Sequence, residues 1–282
     1  MRPAIEIVEG RGDMPMVRVR TDLAEADVYL HGGHVTHFKP AGGDDVLFVS
    51  DKAVFDGTSP IRGGIPICFP WFGGNGPSAD ASSHGFARTA TWSLVDLAQK
   101  DGEATIHLRL KSDEATRRRW PVDFAFDYTI RVGRSLDSDA AVTTASPASF
   151  ELALHSYFRV HDVASTKLNG FSGGRYIDQL DGNTTKDQPE EPAIVGEVDR
   201  IYQGHTSDVT INDGHRTITI AKTGSTSTVL WNPHIAKSQR TPDLGDDEWP
   251  GFLCVETAAI GDGRIDLPDG GTHKMTLSIT AS

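Results

Sequence analysis

The chain is predicted to be all-β, a large antiparallel sandwich, and three observations lead there. Short runs alternating apolar and polar residues, rich in β-branched and aromatic side chains, recur along the length. The 29 Gly and 15 Pro divide those runs with turns. No stretch combines helical periodicity of amphipathic length with capping residues, and no sequence repeat of fixed period or low-complexity linker is present. At 282 residues the chain is long for an ordinary domain, but β-sandwiches reach this size undivided, so a single domain over 1–282 is expected.

The first runs, Met16 to Arg20, Ala26 to Leu30 and Val46 to Val49, read as strands of a meander. Between them His31, His34 and His37 are spaced by threes, which on a helix would gather them as metal ligands. Gly32-Gly33 opposes that helix, and on an extended chain His34 points away from the other two, so strand and turn histidines are expected and no metal site. Ser59 to Gly74 interrupts an apolar run with three prolines and four glycines. Such a loop is stiff yet permits close backbone approach, and it either holds Arg62 for a ligand or leaves it solvated. No GxGxxG strand-turn-helix unit surrounds its glycines. His84 and Arg88 stand four residues apart at the end of a second Gly-rich loop, where a strand is expected to start.

Trp92 to Leu97, Ala104 to Leu110 and Phe124 to Val132 continue the strand pattern, with Arg117-Arg118-Arg119-Trp120 read as a solvated turn. Leu152 to Val160 reads as one strand, in which Ala153, His155, Tyr157 and Arg159 share a face. A lone histidine there is ordinarily a hydrogen-bonded core residue, and the alternative is a polar pocket. Asn169 to Val195 reads as a surface excursion, Val195 to Tyr202 as a strand with Asp199 and Arg200 paired at its edge. Thr217 to Ala221, Ser227 to Pro233, Gly251 to Ile260 and Thr272 to Thr280 complete the set. Glu256 lies inside the apolar run of the third, where a carboxylate has to be partnered, protonated or turned to a solvated pocket.

Composition narrows the function. The chain is 38% hydrophobic and 23% charged, as in soluble globular proteins. A net charge of −12 opposes nucleic acid and anionic membranes, so neither is an expected partner, and an anionic ligand must be held by locally placed arginines. Cys68 and Cys254 each sit in an apolar run, which suits free thiols in a reducing compartment, although one bridge between them stays open. Met1 to Asp13 holds no apolar run of signal-peptide length and no later run approaches a membrane span, so the cytoplasm is the expected location. The oligomeric state is unspecified, and a monomer is compatible with the sequence.

A histidine and a glutamate on separate strands, with arginines on stiffened loops, make an acid, a base and an anion clamp. Ser156 faces away from His155 and lacks a G-x-S-x-G elbow, metal-ligand spacing is missing, and there is no P-loop. Four stretches in order, Arg62-Gly63-Gly64-Ile65-Pro66, His84-Gly85-Phe86-Ala87-Arg88, Leu152 to Phe158 and Val255-Glu256-Thr257-Ala258, resemble the glucose-6-phosphate 1-epimerase family, the D-hexose-6-phosphate mutarotases. Val198 to Tyr202 and Trp231-Asn232-Pro233 fit the same pattern, so the resemblance runs across most of the chain. It implies the galactose-mutarotase type of β-sandwich and acid-base opening and reclosure of a sugar ring with no cofactor. His155 and Glu256 match the catalytic pair, Arg62, Arg88 and Asp199 match substrate-binding positions, and His84 is a candidate hydroxyl contact. The family usually carries Gln where this chain has Ser83, which bears on the sugar accepted. A mutarotase of unphosphorylated aldoses and a non-catalytic sugar-binding sandwich are the competing expectations.

Overall fold

A computed structural model describes residues 4–78 and 81–282. Of the N-terminal stretch read for a leader, residues 1–3 lie outside the described residues. Two eight-stranded antiparallel sheets carry the fold. One runs in the order Thr184–Gln188, Gly174–Asp178, Val198–Gln203, Ser227–Asn232, Phe252–Ala259, Leu152–Leu154, Ile67–Cys68, with Tyr157–Arg159 also paired to Phe252–Ala259. The other runs Lys167–Asn169, Val209–Asn212, Thr217–Thr223, Thr272–Ala281, Leu136–Thr144, Phe124–Val132, Glu103–Lys111, Ser93–Lys100. A four-stranded meander, Ile5–Glu9, Pro15–Arg20, Ala24–Tyr29 and His34–Pro40, precedes them.

Strand periodicity explains how the layers meet. In Phe124–Val132 every second residue is buried, the pattern of a sheet with one face on a core. That core takes Ile106, Phe126 and Ile279 from the second sheet and Leu154, Leu230 and Val255 from the first. Phe252–Ala259 and Ser227–Asn232 are buried at every position, so loops must cover their other face. There a separate apolar cluster forms from Ala153, Tyr157, Val229, Trp231, Cys254 and Leu244, with Phe48 and Phe72 packed over them. This covered outer face of the first sheet is where the polar residues of interest emerge.

Several expectations are corrected. Leu152 to Val160 is two strands, because the ladder breaks at His155 and Ser156. Arg117 to Arg119 end a short helix, Glu114–Arg119, started by a capping box in which Asp113 accepts from the Thr116 amide and Thr116 from the Asp113 amide. The segment expected as the strand Val46 to Val49 makes only isolated bridges, to Phe158 and Gly63. The excursion after Asn169 contains the hairpin of Gly174–Asp178 and Thr184–Gln188. Cys68 and Cys254 are unbridged and buried. Among the described residues, no helix is long and apolar enough to cross a membrane.

Candidate active site

The break at His155 preserves register. Leu154 pairs with Thr257 before it and Tyr157 with Cys254 after it, which leaves His155 opposite Glu256. The His155 amide donates to the Pro66 carbonyl and the Tyr157 amide to Gly64, each at 2.9 Å, so the Gly/Pro loop carrying Arg62 is seamed to this segment. Pro66 has no N–H, but its carbonyl remains free to accept. Period-2 geometry survives the interruption: Ala153 and Tyr157 still face the outer cluster, and the His155 ring stacks on Tyr157 at 4.8 Å and 12°.

His155 Nε2 and Glu256 Oε1 are 3.2 Å apart, with side chains 9% and 1% exposed. Both edge a cleft of about 310 Å³ that is also lined by Arg62, Phe72, His84, Gln179, Asp199, Trp231, Lys237 and Thr241. That volume is within the range of small-molecule sites. His155 Nδ1 and Glu256 Oε2 have no hydrogen-bond partner among the described residues, an unusual condition for buried polar atoms. Burial pushes the imidazole well below its usual pKa and the carboxyl well above its own. The positive charge of nearby Arg88 and Arg62 adds to the first shift, and Asp199 adds to the second. Burial by itself therefore favours the uncharged form of both partners.

Arg62 is held on two sides. Its Nε and Nη2 donate to the two oxygens of Asp243 at 3.2 and 3.1 Å, and Nη1 donates to the Tyr157 hydroxyl at 3.0 Å. His34, one of the three spaced histidines, supports the loop beneath it through a 2.7 Å bond between Nε2 and the Gly63 carbonyl. His31 bonds the Ser59 carbonyl, and His37 faces Asp45. Each of the three thus has a separate local partner.

His84 enters the cleft at a positive φ of 63°, with its ring edge-on to Phe72 at 4.6 Å and 5.7 Å from His155. Burial lowers its pKa to about 3, helped by Arg88 and Arg62. Arg88 follows on the short 3₁₀ turn Ala87–Thr89 rather than a strand, and it does not line the cleft. Its guanidinium donates to the Ser83 carbonyl at 2.7 Å. Asp199 is not paired with Arg200: it accepts from Gln179 at 2.6 Å and from Lys237 at 3.4 Å, while Arg200 reaches Gln188 on the other face. Burial raises the Asp199 pKa, and Lys237 opposes that rise.

The sequence reading missed Gln179, Trp231, Lys237 and Asp243 as site residues. Gln179 and Asp243 lie in turns with no local pattern, and Lys237 is on the five-residue helix His234–Ser238, too short for a periodic signal. Trp231 occurred within the recognised Trp-Asn-Pro stretch, and only its position on a strand buried on both faces assigns it to the cleft wall.

The family model for aldose 1-epimerases matches residues 15–280. A Salmonella typhimurium protein proposed to be a glucose-6-phosphate 1-epimerase is 35% identical over 256 residues, 87% of this chain and 83% of its own. One from Cenchrus ciliaris with the same proposed activity is 34% identical over 273 residues, covering 91% and 81% of the two chains. Among solved structures, a proposed mutarotase from Salmonella typhimurium superposes with a TM-score of 0.91 at 29% identity, over 100% of this chain and 95% of that one. Galactose 1-epimerase from Lactobacillus acidophilus shares the fold, with a TM-score of 0.75 at 13% identity over 99% and 98% of the chains. The all-β sandwich read from the sequence is the galactose-mutarotase fold, and the chain belongs to the aldose 1-epimerase family.

Proposed function

We propose that the cleft interconverts the α and β anomers of a hexose 6-phosphate, with glucose 6-phosphate as the preferred sugar. The observation that carries this reading is the buried 3.2 Å contact between His155 and Glu256 at the cleft wall. A protein that only binds sugar has no need of a matched acid and base deprived of water. The relatives proposed as glucose-6-phosphate 1-epimerases support the phosphorylated substrate. The two unbridged thiols support a cytoplasmic location, and the chain is taken as one domain with one site.

In the reactive form Glu256 is a carboxylate and His155 an imidazolium. Glu256 takes the proton of the anomeric C1 hydroxyl while His155 gives one to the ring oxygen, and the hemiacetal opens to the aldehyde. Rotation about C1–C2 presents the other carbonyl face. Reclosure with the two roles exchanged yields the other anomer. The charged pair and the uncharged pair hold the same number of protons and differ only in where one of them sits. Ring opening converts the first into the second, so the burial that disfavours charge drives the opening step. The pair regains its starting state when the ring closes and takes no net proton from water.

Arg62 contacts the phosphate by charge-assisted hydrogen bonds, and Arg88 contributes positive charge near the pair. Asp199 accepts from sugar hydroxyls, in company with Gln179. His84, neutral at physiological pH, offers a ring nitrogen to a hydroxyl. Ser83 is exposed, and a side chain shorter than the family's usual Gln loses a substrate hydrogen bond or passes it to water.

NMR anomer exchange on purified protein tests the reading. His155→Ala and Glu256→Gln are each expected to lower the exchange rate at least about 100-fold. Arg62→Ala is expected to weaken glucose 6-phosphate and spare glucose. Wild-type rates in both pair variants would sink the mechanism, and equal handling of glucose and glucose 6-phosphate by the wild type would sink the phosphorylated substrate.

A further inference from the structure

Asp243 does not line the cleft, yet it controls a residue that does. A guanidinium has five N–H donors in a fixed plane. The Asp243 carboxylate takes the Nε donor and one from Nη2, and the Tyr157 hydroxyl takes one from Nη1. One N–H therefore remains on each terminal nitrogen, two charge-assisted donors for phosphate oxygens. The ion pair is largely shielded, with Arg62 24% and Asp243 17% exposed, so it fixes geometry better than an open surface pair.

The turn that presents Asp243 is itself anchored. Leu244, next in the chain, is fully buried in the apolar cluster under the cleft. Glu248 accepts from the Gly245 amide, from the Asp51 amide and from the Ser50 hydroxyl, tying the turn to a segment nearly two hundred residues away. The order continues toward the reacting pair, because the tyrosine holding Arg62 Nη1 is the one stacked on the His155 imidazole. Asp243, Arg62, Tyr157 and His155 thus form an unbroken series of direct contacts.

We propose that Asp243 is a positioning residue that sets the preference for a phosphorylated sugar, by orienting the Arg62 guanidinium so that one N–H of each terminal nitrogen faces the phosphate. This rests on the hexose 6-phosphate reading. Asp243 also offsets the charge of Arg62, so the cation binds phosphate through directed hydrogen bonds more than through net attraction. Orientation outweighs that offset: an unheld arginine loses side-chain freedom each time it binds, whereas a held one has lost it already.

The experiment compares kcat and KM for glucose 6-phosphate and glucose, by NMR anomer exchange, in wild type, Asp243→Ala and Asp243→Asn. The ratio of kcat/KM for glucose 6-phosphate over glucose is expected to fall about tenfold in Asp243→Ala, mainly through KM. Asp243→Asn, which keeps one acceptor oxygen, is expected to lie between. The inhibition constant of inorganic phosphate rises in parallel, which gives a readout even where glucose turns over slowly. An unchanged ratio and phosphate constant in a wild type that prefers the phosphorylated sugar would overturn the inference alone. So would an equal loss for both sugars, the mark of a merely structural residue, or tighter phosphate binding, the mark of a dominant charge effect. A wild type without preference would remove the substrate reading and this inference together.

Discussion

Glu256 illustrates how a functional residue can work against the fold that holds it. Its carboxyl is 1% exposed, one oxygen has no partner, and burial holds its pKa well above the usual range. An acid raised in the folded state carries no penalty below its unfolded pKa and a growing one as pH rises above it. Glu256→Gln is therefore expected to stabilise the protein as it removes activity. The thermal midpoint should rise by a few degrees at pH 7–8, about 2–4 °C per kcal/mol released, with the gain shrinking toward pH 4.5. Calorimetry of the two proteins across that range checks it, and a lower midpoint at every pH would mean that the pair stabilises the fold. This residue was legible in the sequence because a lone carboxylate in a continuous apolar strand is a local anomaly. His155 alone was not, since a core histidine and a catalytic one look alike until their surroundings are known. Asp243 had no sequence signature at all: its role follows from a contact with Arg62 across 181 residues.

At the scale of elements, the alternation of strands and the Gly/Pro loops carried most of the fold, and the errors fell where tertiary contacts override local pattern. The run from Leu152 to Val160 has a faultless strand signature, yet its ladder to Phe252–Ala259 opens at His155 and Ser156, where the Ser156 amide turns back to the Leu154 carbonyl while His155 and Tyr157 stay bonded to Pro66 and Gly64 on the other edge. The close backbone approaches of the two loops around the site fall on glycines. Gly63 has a φ of 115°, and a methyl group there would stand 2.4 Å from the Phe48 carbonyl oxygen. Gly85, beside His84, has a φ of 73°, and its added carbon would stand 2.0 Å from the Phe69 carbonyl oxygen. Both are backbone obstacles that no rotamer relieves. Gly85→Ala is expected to destabilise by more than about 1 kcal/mol and to misplace His84, with the loss visible as a lower urea midpoint and a raised KM. A neutral effect on both would show that the loop relaxes freely. The helix Glu114–Arg119 was missed because its capping box uses Thr at the third position, where Glu or Gln is the usual signal.

For the whole molecule, the buried histidines make stability depend on pH. His34 is fully buried and burial lowers its pKa to about 3, and His84 is lowered to about 3 as well. A histidine kept neutral in the native state binds its proton in the unfolded chain first, below about pH 6.5. Stability is then lost progressively as pH falls from 6.5 toward 3, by about 2 kcal/mol at pH 5 for a single group such as His34. Urea titrations from pH 7 to 4.5 should show this fall, and His34→Gln should flatten its slope. The slope is the diagnostic, since the substitution also disturbs the support of Gly63. If it is the same in both proteins, His34 does not contribute to the acid sensitivity.

The strand Phe252–Ala259 is buried along its whole length, with a second strand buried throughout on one side and the interrupted His155 segment on the other. The spacing of the reacting pair is consequently inherited from the rungs of a ladder in the interior of the sheet. Arg62, Asp243 and Lys237 come from the loops and short helix laid over it, whereas Asp199 and Gln179 belong to the sheet itself, on a strand and on the turn of a neighbouring hairpin. The proton-transferring groups therefore rest on the ladder, while part of what meets the sugar rests on segments outside it. The overlying Asp243 and Lys237 can thus diverge toward other sugars while the ladder holds the spacing of the two groups that transfer protons, and a lineage built this way can change its diet while keeping its reaction.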